Sequence, residues 1–261
     1  MPNRKINWYK YASPASFYPL AGKMIPWFAI PAAVLFLVGL YVGFFVAPTD
    51  FQQGEVYRII FIHVPAAWMG MFLYVLLAFY AGLGWAFNAR LSSMMASSLA
   101  PTGAMFTFVS LVTGALWGKP TWGAYWVWDA RMTSTLILMF LYIGFISLQS
   151  AIDDPRRADR AGAVLALVGV INIPIIYFSV EWWNTLHQGA TIRLLNKPTM
   201  APPMLAAMLI MLAACWLYSV AIVLSRLRCI ILEREQGAAR FVASPQIAQI
   251  TQITNEMVRG K

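Results

Sequence analysis

The 261 residues are 60% hydrophobic and only 11% charged, where a soluble domain carries roughly 25% charged residues. Length alone would allow one or two soluble domains, but long apolar runs exclude that class and indicate a polytopic membrane protein. The formal net charge of +9 is then a question of which side of a membrane the cations occupy, and is no sign of nucleic-acid binding in itself.

In chain order, a basic segment over 1–24 precedes six stretches long enough to cross a bilayer, each about 20 apolar residues. These are Ile25–Ala47, His63–Phe87, Leu99–Leu116, Met132–Ala151, Ala161–Val180 and Pro203–Ser225, and a tail over 227–261 follows. The first lacks a small-residue cleavage site after a short apolar stretch, so it is read as an uncleaved anchor. Pro174 falls late in the fifth stretch, where a kink is expected. None of the six contains a charged residue, so no ion path or proton relay across the bilayer is indicated. The expectation is an all-α bundle of six transmembrane helices over 25–226.

The Lys/Arg distribution orients the bundle. With the N-terminus inside, fourteen Lys and Arg fall on the inner side and five on the outer: Arg58, Lys119, Arg131, Arg193 and Lys197. The excess predicts cytoplasmic termini. The outward segments are then approximately 48–62, 117–131 and 181–202, while the inward loops are short connections.

The second outward segment is the most unusual stretch of the chain. Trp117-Gly-Lys-Pro-Thr-Trp-Gly-Ala-Tyr-Trp-Val-Trp-Asp129-Ala-Arg131 holds four tryptophans and a tyrosine within twelve residues. Gly118, Pro120 and Gly123 argue against a regular helix in its first half. Trp122, Trp126 and Asp129 follow i, i+4, i+7 spacing, which predicts a short interfacial helix with one aromatic face. An aromatic belt at the membrane surface accounts for Trp8, Trp27, Trp85 and Trp216. It accounts poorly for Trp117, Trp122, Trp126 and Trp128, because a belt spreads its rings among helix ends. A flat apolar partner with charged edges suits them better, since indoles stack on flat rings and arginine pairs with carboxylates.

The chain's two histidines fall on the same side: His63 at the inner edge of the first outward segment and His187 within the third. Taken singly, each could be an ordinary interfacial polar residue. As a pair flanking an aromatic cluster, they could supply both axial positions of a haem iron. Zinc fits less well, because two histidines leave a structural site short of ligands and no cysteine lies on this side. Arg58 and Arg131 either snorkel to lipid headgroups or pair with two propionates. Asp129 is expected to anchor the loop through backbone hydrogen bonds or to orient a ligand from behind.

The cysteines narrow the choice further. Cys215 and Cys229 stand fourteen residues apart, about 21 Å along a helix, which is too far for a disulfide. No Cys-x-x-Cys-His is present, so covalent haem attachment by this chain is excluded while non-covalent binding of haem b is not. Nor is there a P-loop, so any ATP hydrolysis would fall to a partner.

The segment from Trp117 to Ser134 resembles the WWD domain of haem-handling proteins. With Arg58-Ile-Ile-Phe-Ile-His63-Val-Pro-Ala-Ala67 before it and Val180-Glu-Trp-Trp-Asn-Thr-Leu-His187-Gln-Gly189 after it, the chain resembles the cytochrome c maturation protein C (haem exporter protein C) family from about residue 25 to 235. The longer sister families, maturation protein F and the single-component synthases, carry more spans and more histidines. The resemblance implies a multi-pass protein of the bacterial inner membrane with His63 and His187 as axial ligands on the periplasmic face. It implies that the WWD segment holds haem and presents it to a periplasmic chaperone, maturation protein E. Further partners implied are the small protein D and an ATP-driven A/B pair. On this reading the chain is a carrier and not an enzyme, with no catalytic residue. The competing readings are a bis-histidine membrane cytochrome b, which would normally hold its ligands within the spans, and a haem-translocating transporter subunit, for which the uncharged spans offer no polar conduit.

Overall fold

In the computed structural model the described residues are 12–183, 185–187 and 200–242, with side chains of 236–242 excepted. Of the cations in the charge count, Arg4, Lys5, Lys10, Arg193, Lys197, Arg259 and Lys261 lie outside the described residues, as do Trp8 and much of the segments 1–24 and 227–261. The Arg240 side chain does too.

Seven α-helices form the described part of the chain: α1 (Pro14–Tyr41), α2 (Ile60–Phe87), α3 (Arg90–Trp122), α4 (Ala130–Ala151), α5 (Pro155–Gly169), α6 (Asn172–Trp182) and α7 (Pro202–Val242). A π-turn, Val42–Val46, extends α1, and a 3-10 turn, Glu55–Ile59, leads into α2. With α5 and α6 counted as one broken rod, six helical segments are long and apolar enough to cross a membrane. The protein is a polytopic helical membrane protein. The helices outrun the apolar stretches that announced them, because polar residues at a membrane surface can continue a helix without meeting hydrocarbon. Thus α3 starts at Arg90, well before Leu99, and α1 starts at Pro14, with Ser13 as its N-cap and proline at the first helical position.

Lipid tails are as apolar as leucine, so packing here rests on close fit and buried hydrogen bonds. Helices α2 and α3 lie along one another, and a Cβ placed on Gly70 would meet the Thr107 hydroxyl at 2.7 Å. The Tyr142 hydroxyl crosses from α4 to donate to the Gly70 carbonyl at 2.8 Å. It also meets the Tyr74 ring edge-on, with centroids 5.0 Å apart. Bonds of this kind average about 0.6 kcal/mol in helical membrane proteins. Helix α1 is peripheral and packs chiefly along α7, where Gly39 rests against Met211. At one end of the bundle Arg234 of α7 forms a two-pronged pair with Asp159 of α5 at 2.8 and 2.9 Å. The opposite end, where α2 begins and α3 finishes, carries the aromatic segment.

The kink expected at Pro174 becomes a break just before it. Proline has no N–H to give the carbonyl four residues back, which is that of Val170. Instead, the Ile173 N–H bonds the Val170 carbonyl at 3.0 Å in a tighter turn. The fifth span is therefore two helices, α5 and α6, with the joint anchored by Asn172, whose side-chain amide donates to the Ser134 carbonyl of α4 at 2.9 Å. Cys215 is buried, Cys229 is exposed, and both are free thiols.

A two-histidine cleft at one end of the bundle

The path of the chain through the aromatic segment corrects two expectations. Residues 117–122 are helical: α3 runs through Gly118 and Pro120 and stops at Trp122. Pro120 sits in the last turn, where a missing N–H removes a single bond, and the Thr121 hydroxyl donates back to the Trp117 carbonyl at 2.7 Å. Gly123 then ends the helix with φ +80°, a left-handed conformation that glycine adopts without steric cost, and its N–H bonds the Lys119 carbonyl at 3.0 Å. The second correction concerns Trp122, Trp126 and Asp129, which share no helix. Residues 124–129 form an irregular connector, cut off on one side by Gly123 and on the other by Asp129. The Asp129 carboxylate caps α4, accepting from the Met132 N–H at 2.8 Å. That is the loop-anchoring role expected of it.

With α3 running to Trp122, Ser110, Gly114, Trp117 and Thr121 recur at i, i+4, i+7 and i+11, so they share one face. That face forms a wall of a cleft of about 780 Å³, counting its part open to solvent. His63 and Ala67 of α2 line a second wall, Arg131, Thr135 and Leu138 of α4 a third, and Ile176 of α6 and His187 complete it. His63 lies in the first turn of α2 and is 8% exposed. Pro65 follows inside the helix as its sixth residue, where its missing N–H withholds the helical bond from the Phe61 carbonyl.

The two histidines, far apart in sequence, meet here. Their ring centres are 6.2 Å apart and their planes 35° apart. His63 also meets Trp117 edge-on at 5.7 Å, and His187 lies 6.1 Å from Trp122. An imidazole nitrogen is about 1.15 Å from its ring centre and metal–imidazole bonds run about 2.0–2.1 Å, so two imidazoles on opposite sides of one ion have centres about 6.3–6.5 Å apart. The observed 6.2 Å is close to that separation. Among the described residues no group of three or more His, Cys, Asp or Glu could hold a metal.

The four tryptophans divide. Trp117 and Trp122 line the cleft, and the Trp117 indole N–H is held by the Gln53 side-chain carbonyl at 2.7 Å. Trp126 and Trp128 do not line it. They pack edge-on against each other at 5.3 Å, and Trp128 is 75% exposed. The Trp126 indole nitrogen is buried without a hydrogen-bond partner.

The arginines divide as well. Arg131 lines the cleft and donates one N–H to the Ile176 carbonyl at 2.8 Å. Arg58 does not line it. Its guanidinium pairs with Glu55 and donates to the Gly43 and Ala47 carbonyls at 2.6 and 3.0 Å, satisfying the end of α1. Three contributors escaped the sequence reading: Thr113, Gly114 and Gln53. Gly114 brings the α3 backbone against the His63 ring, where an added Cβ would lie 3.0 Å from Cε1. The signal for Thr113 and Gly114 was their spacing, four and three residues before Trp117, which is legible only once the helix is continued past Leu116.

Comparison with known proteins agrees with the motifs. The sequence profile of the family described as "Heme exporter protein C" matches residues 7–242. A protein of that name from Escherichia coli K12 is 51% identical over 183 residues, 70% of this chain and 75% of the relative. One from Bradyrhizobium diazoefficiens is 44% identical over 238 residues, 91% of this chain and 90% of the relative. A mitochondrial protein of Marchantia polymorpha, described as ccmC-like and of cytochrome c biosynthesis, is 48% identical over 155 residues, 59% of this chain and 65% of the relative.

Proposed function

The chain belongs to the haem exporter protein C family, and on that premise we propose that it is a haem carrier of cytochrome c maturation, holding non-covalent haem b between His63 and His187 and passing it to a periplasmic chaperone of the maturation protein E type. The observation that carries this reading is the 6.2 Å separation of the two imidazoles across a cleft walled by Trp117 and Trp122. When bound, haem supplies an iron with two axial positions and a flat apolar ring with two carboxylates.

The residues fit such a guest. His63 and His187 each offer an imidazole nitrogen. Trp117 and Trp122 give flat apolar surface beside those imidazoles and keep water from them. Arg131 is the cation of this wall; one N–H is held by Ile176, which leaves guanidinium donors for a propionate. Arg58, tied to Glu55 and to the Gly43 and Ala47 carbonyls and outside the cleft lining, is not placed for a second propionate. Asp129 acts indirectly by capping the helix that carries Arg131. Trp128, exposed and packed on the half-buried Trp126 outside the cleft lining, is the surface offered to the chaperone.

The Lys/Arg asymmetry supports cytoplasmic termini and an outward-facing cleft, and the family membership supports the bacterial inner membrane as the setting, with the cleft periplasmic. The maturation protein D and the ATP-driven A/B pair are partners on this reading. The chain performs no bond-making step of its own and is not an enzyme. The test is transfer. Purified protein loaded with haem should lose it stoichiometrically to an added haem-free chaperone domain. Retained haem that cycles reversibly with a quinol would instead support an electron-transferring cytochrome b.

A further inference from the structure

We propose that Thr113 is a positioning residue that fixes the tautomer of His63, so that Nδ1 carries the proton and Nε2 is left as the metal-binding nitrogen. The inference rests on the reading of His63 as an iron ligand, but its first test needs no haem.

Two hydrogen bonds meeting at one hydroxyl carry the argument. The Thr113 Oγ1 lies 2.6 Å from the Val109 carbonyl oxygen and 3.2 Å from that of Ser110. Carbonyl oxygens only accept, and two oxygens at 2.6 Å without a hydrogen between them would repel. The single Thr113 proton is therefore directed to Val109. Oγ1 also lies 3.0 Å from Nδ1 of His63. With its proton committed, Oγ1 can only accept there, as can the Ser110 carbonyl that also meets the ring, so the imidazole must donate. A neutral imidazole has one N–H, and placing it on Nδ1 leaves the lone pair on Nε2.

The surroundings make this matter. His63 is buried, and Gly114, the residue after Thr113, lets the α3 backbone approach the ring. The ring is thus held between a hydroxyl and a helix, with little room for turning. In metal sites the bond made by the second ring nitrogen selects the ligating one and orients the ring, and its loss typically costs 10–100-fold in metal affinity. Thr113 supplies that bond from the turn of α3 just before Trp117, so one helix sets both the ligand and the neighbouring indole.

The experiment pairs Thr113→Val, which keeps the shape and removes the acceptor, with Thr113→Ser, which keeps the hydroxyl. Nitrogen-15 histidine NMR of the haem-free protein reads the tautomer directly, and His187→Ala isolates the His63 signals. The expected result is an Nδ1–H tautomer in the parent and in Thr113→Ser, and an Nε2–H or mixed tautomer in Thr113→Val. Haem titration should then show affinity about 10–100-fold lower for Thr113→Val and within about twofold of the parent for Thr113→Ser. An Nε2–H tautomer in the parent, or an unchanged tautomer and affinity in Thr113→Val, would overturn the proposal. His63→Ala separates this from the broader reading: if it binds haem like the parent, His63 is no ligand, whereas if it loses the haem and Thr113→Val does not, only the role of Thr113 fails.

Discussion

Trp117 and Trp122 on one side of Gly123, and Trp126 and Trp128 on the other, have the same chemistry and opposite settings. The first pair ends a 33-residue helix and is aimed into the cleft between the histidines. The second sits on an irregular connector, packed ring against ring with Trp128 open to the outside. Backbone geometry separates them. A helix repeats its facing every three or four residues, so Gly114, Trp117 and Thr121 build one wall, and a single left-handed glycine stops the pattern. The lesson is that a run of indoles is not one site. On the proposed function its inner half would hold the haem and its outer half would meet the chaperone.

The sharpest way to break this division is to truncate one pair at a time. Trp117→Ala or Trp122→Ala should weaken haem retention by about 10-fold or more, since removing a large aromatic from a packed site costs about 3–5 kcal/mol in protein interiors and less where part of the ring is open. Trp128→Ala should leave retention within about twofold and slow transfer to the chaperone. Haem titration and a transfer assay read the two effects, and equal losses of retention on both sides of Gly123 would abolish the distinction.

Moving the boundary itself should have the next largest effect. Gly123→Ala forces a side chain into the left-handed region, costing about 1–2 kcal/mol, and should lower the midpoint of thermal unfolding in detergent together with haem affinity. At the other end of the connector, Asp129→Ala should cost about 1 kcal/mol through loss of the helix cap, and Asp129→Asn, which still caps, a few tenths. If Asn behaved like Ala, the carboxylate would be doing more than capping α4. A comparably small effect is expected of Gln53→Leu, which removes the acceptor of the half-buried Trp117 N–H and should lower haem affinity by about 0.5–1 kcal/mol, measured by the same titration.

Much of this was legible before any coordinates. Six uncharged apolar stretches read directly as six spans because a bilayer forbids charge and demands length. His63 and His187 stood out because the chain has no other histidine. What was illegible had local causes. Gly118 and Pro120 are breakers in the middle of a helix but tolerable in its last turn, so α3 was ended too early and the stripe through Ser110, Gly114 and Trp117 went unseen. Arg58 and Arg131 looked equivalent by charge and position; only the fold shows that one is spent on the carbonyls at the end of α1. Thr113, four residues before Trp117, was hidden by the same early stop, and its chemistry adds little signal: a threonine in a membrane helix ordinarily bonds its own backbone, and this one does so while also meeting a histidine.

The central claim, that His63 and His187 act together on one iron, is tested most directly by spectroscopy of the haem-loaded protein. His63→Gly and His187→Gly should each lose the low-spin bis-histidine absorption and electron paramagnetic resonance signals, and added imidazole should restore them by filling the vacated position. Retention of the parent spectrum in both variants without imidazole would contradict the account.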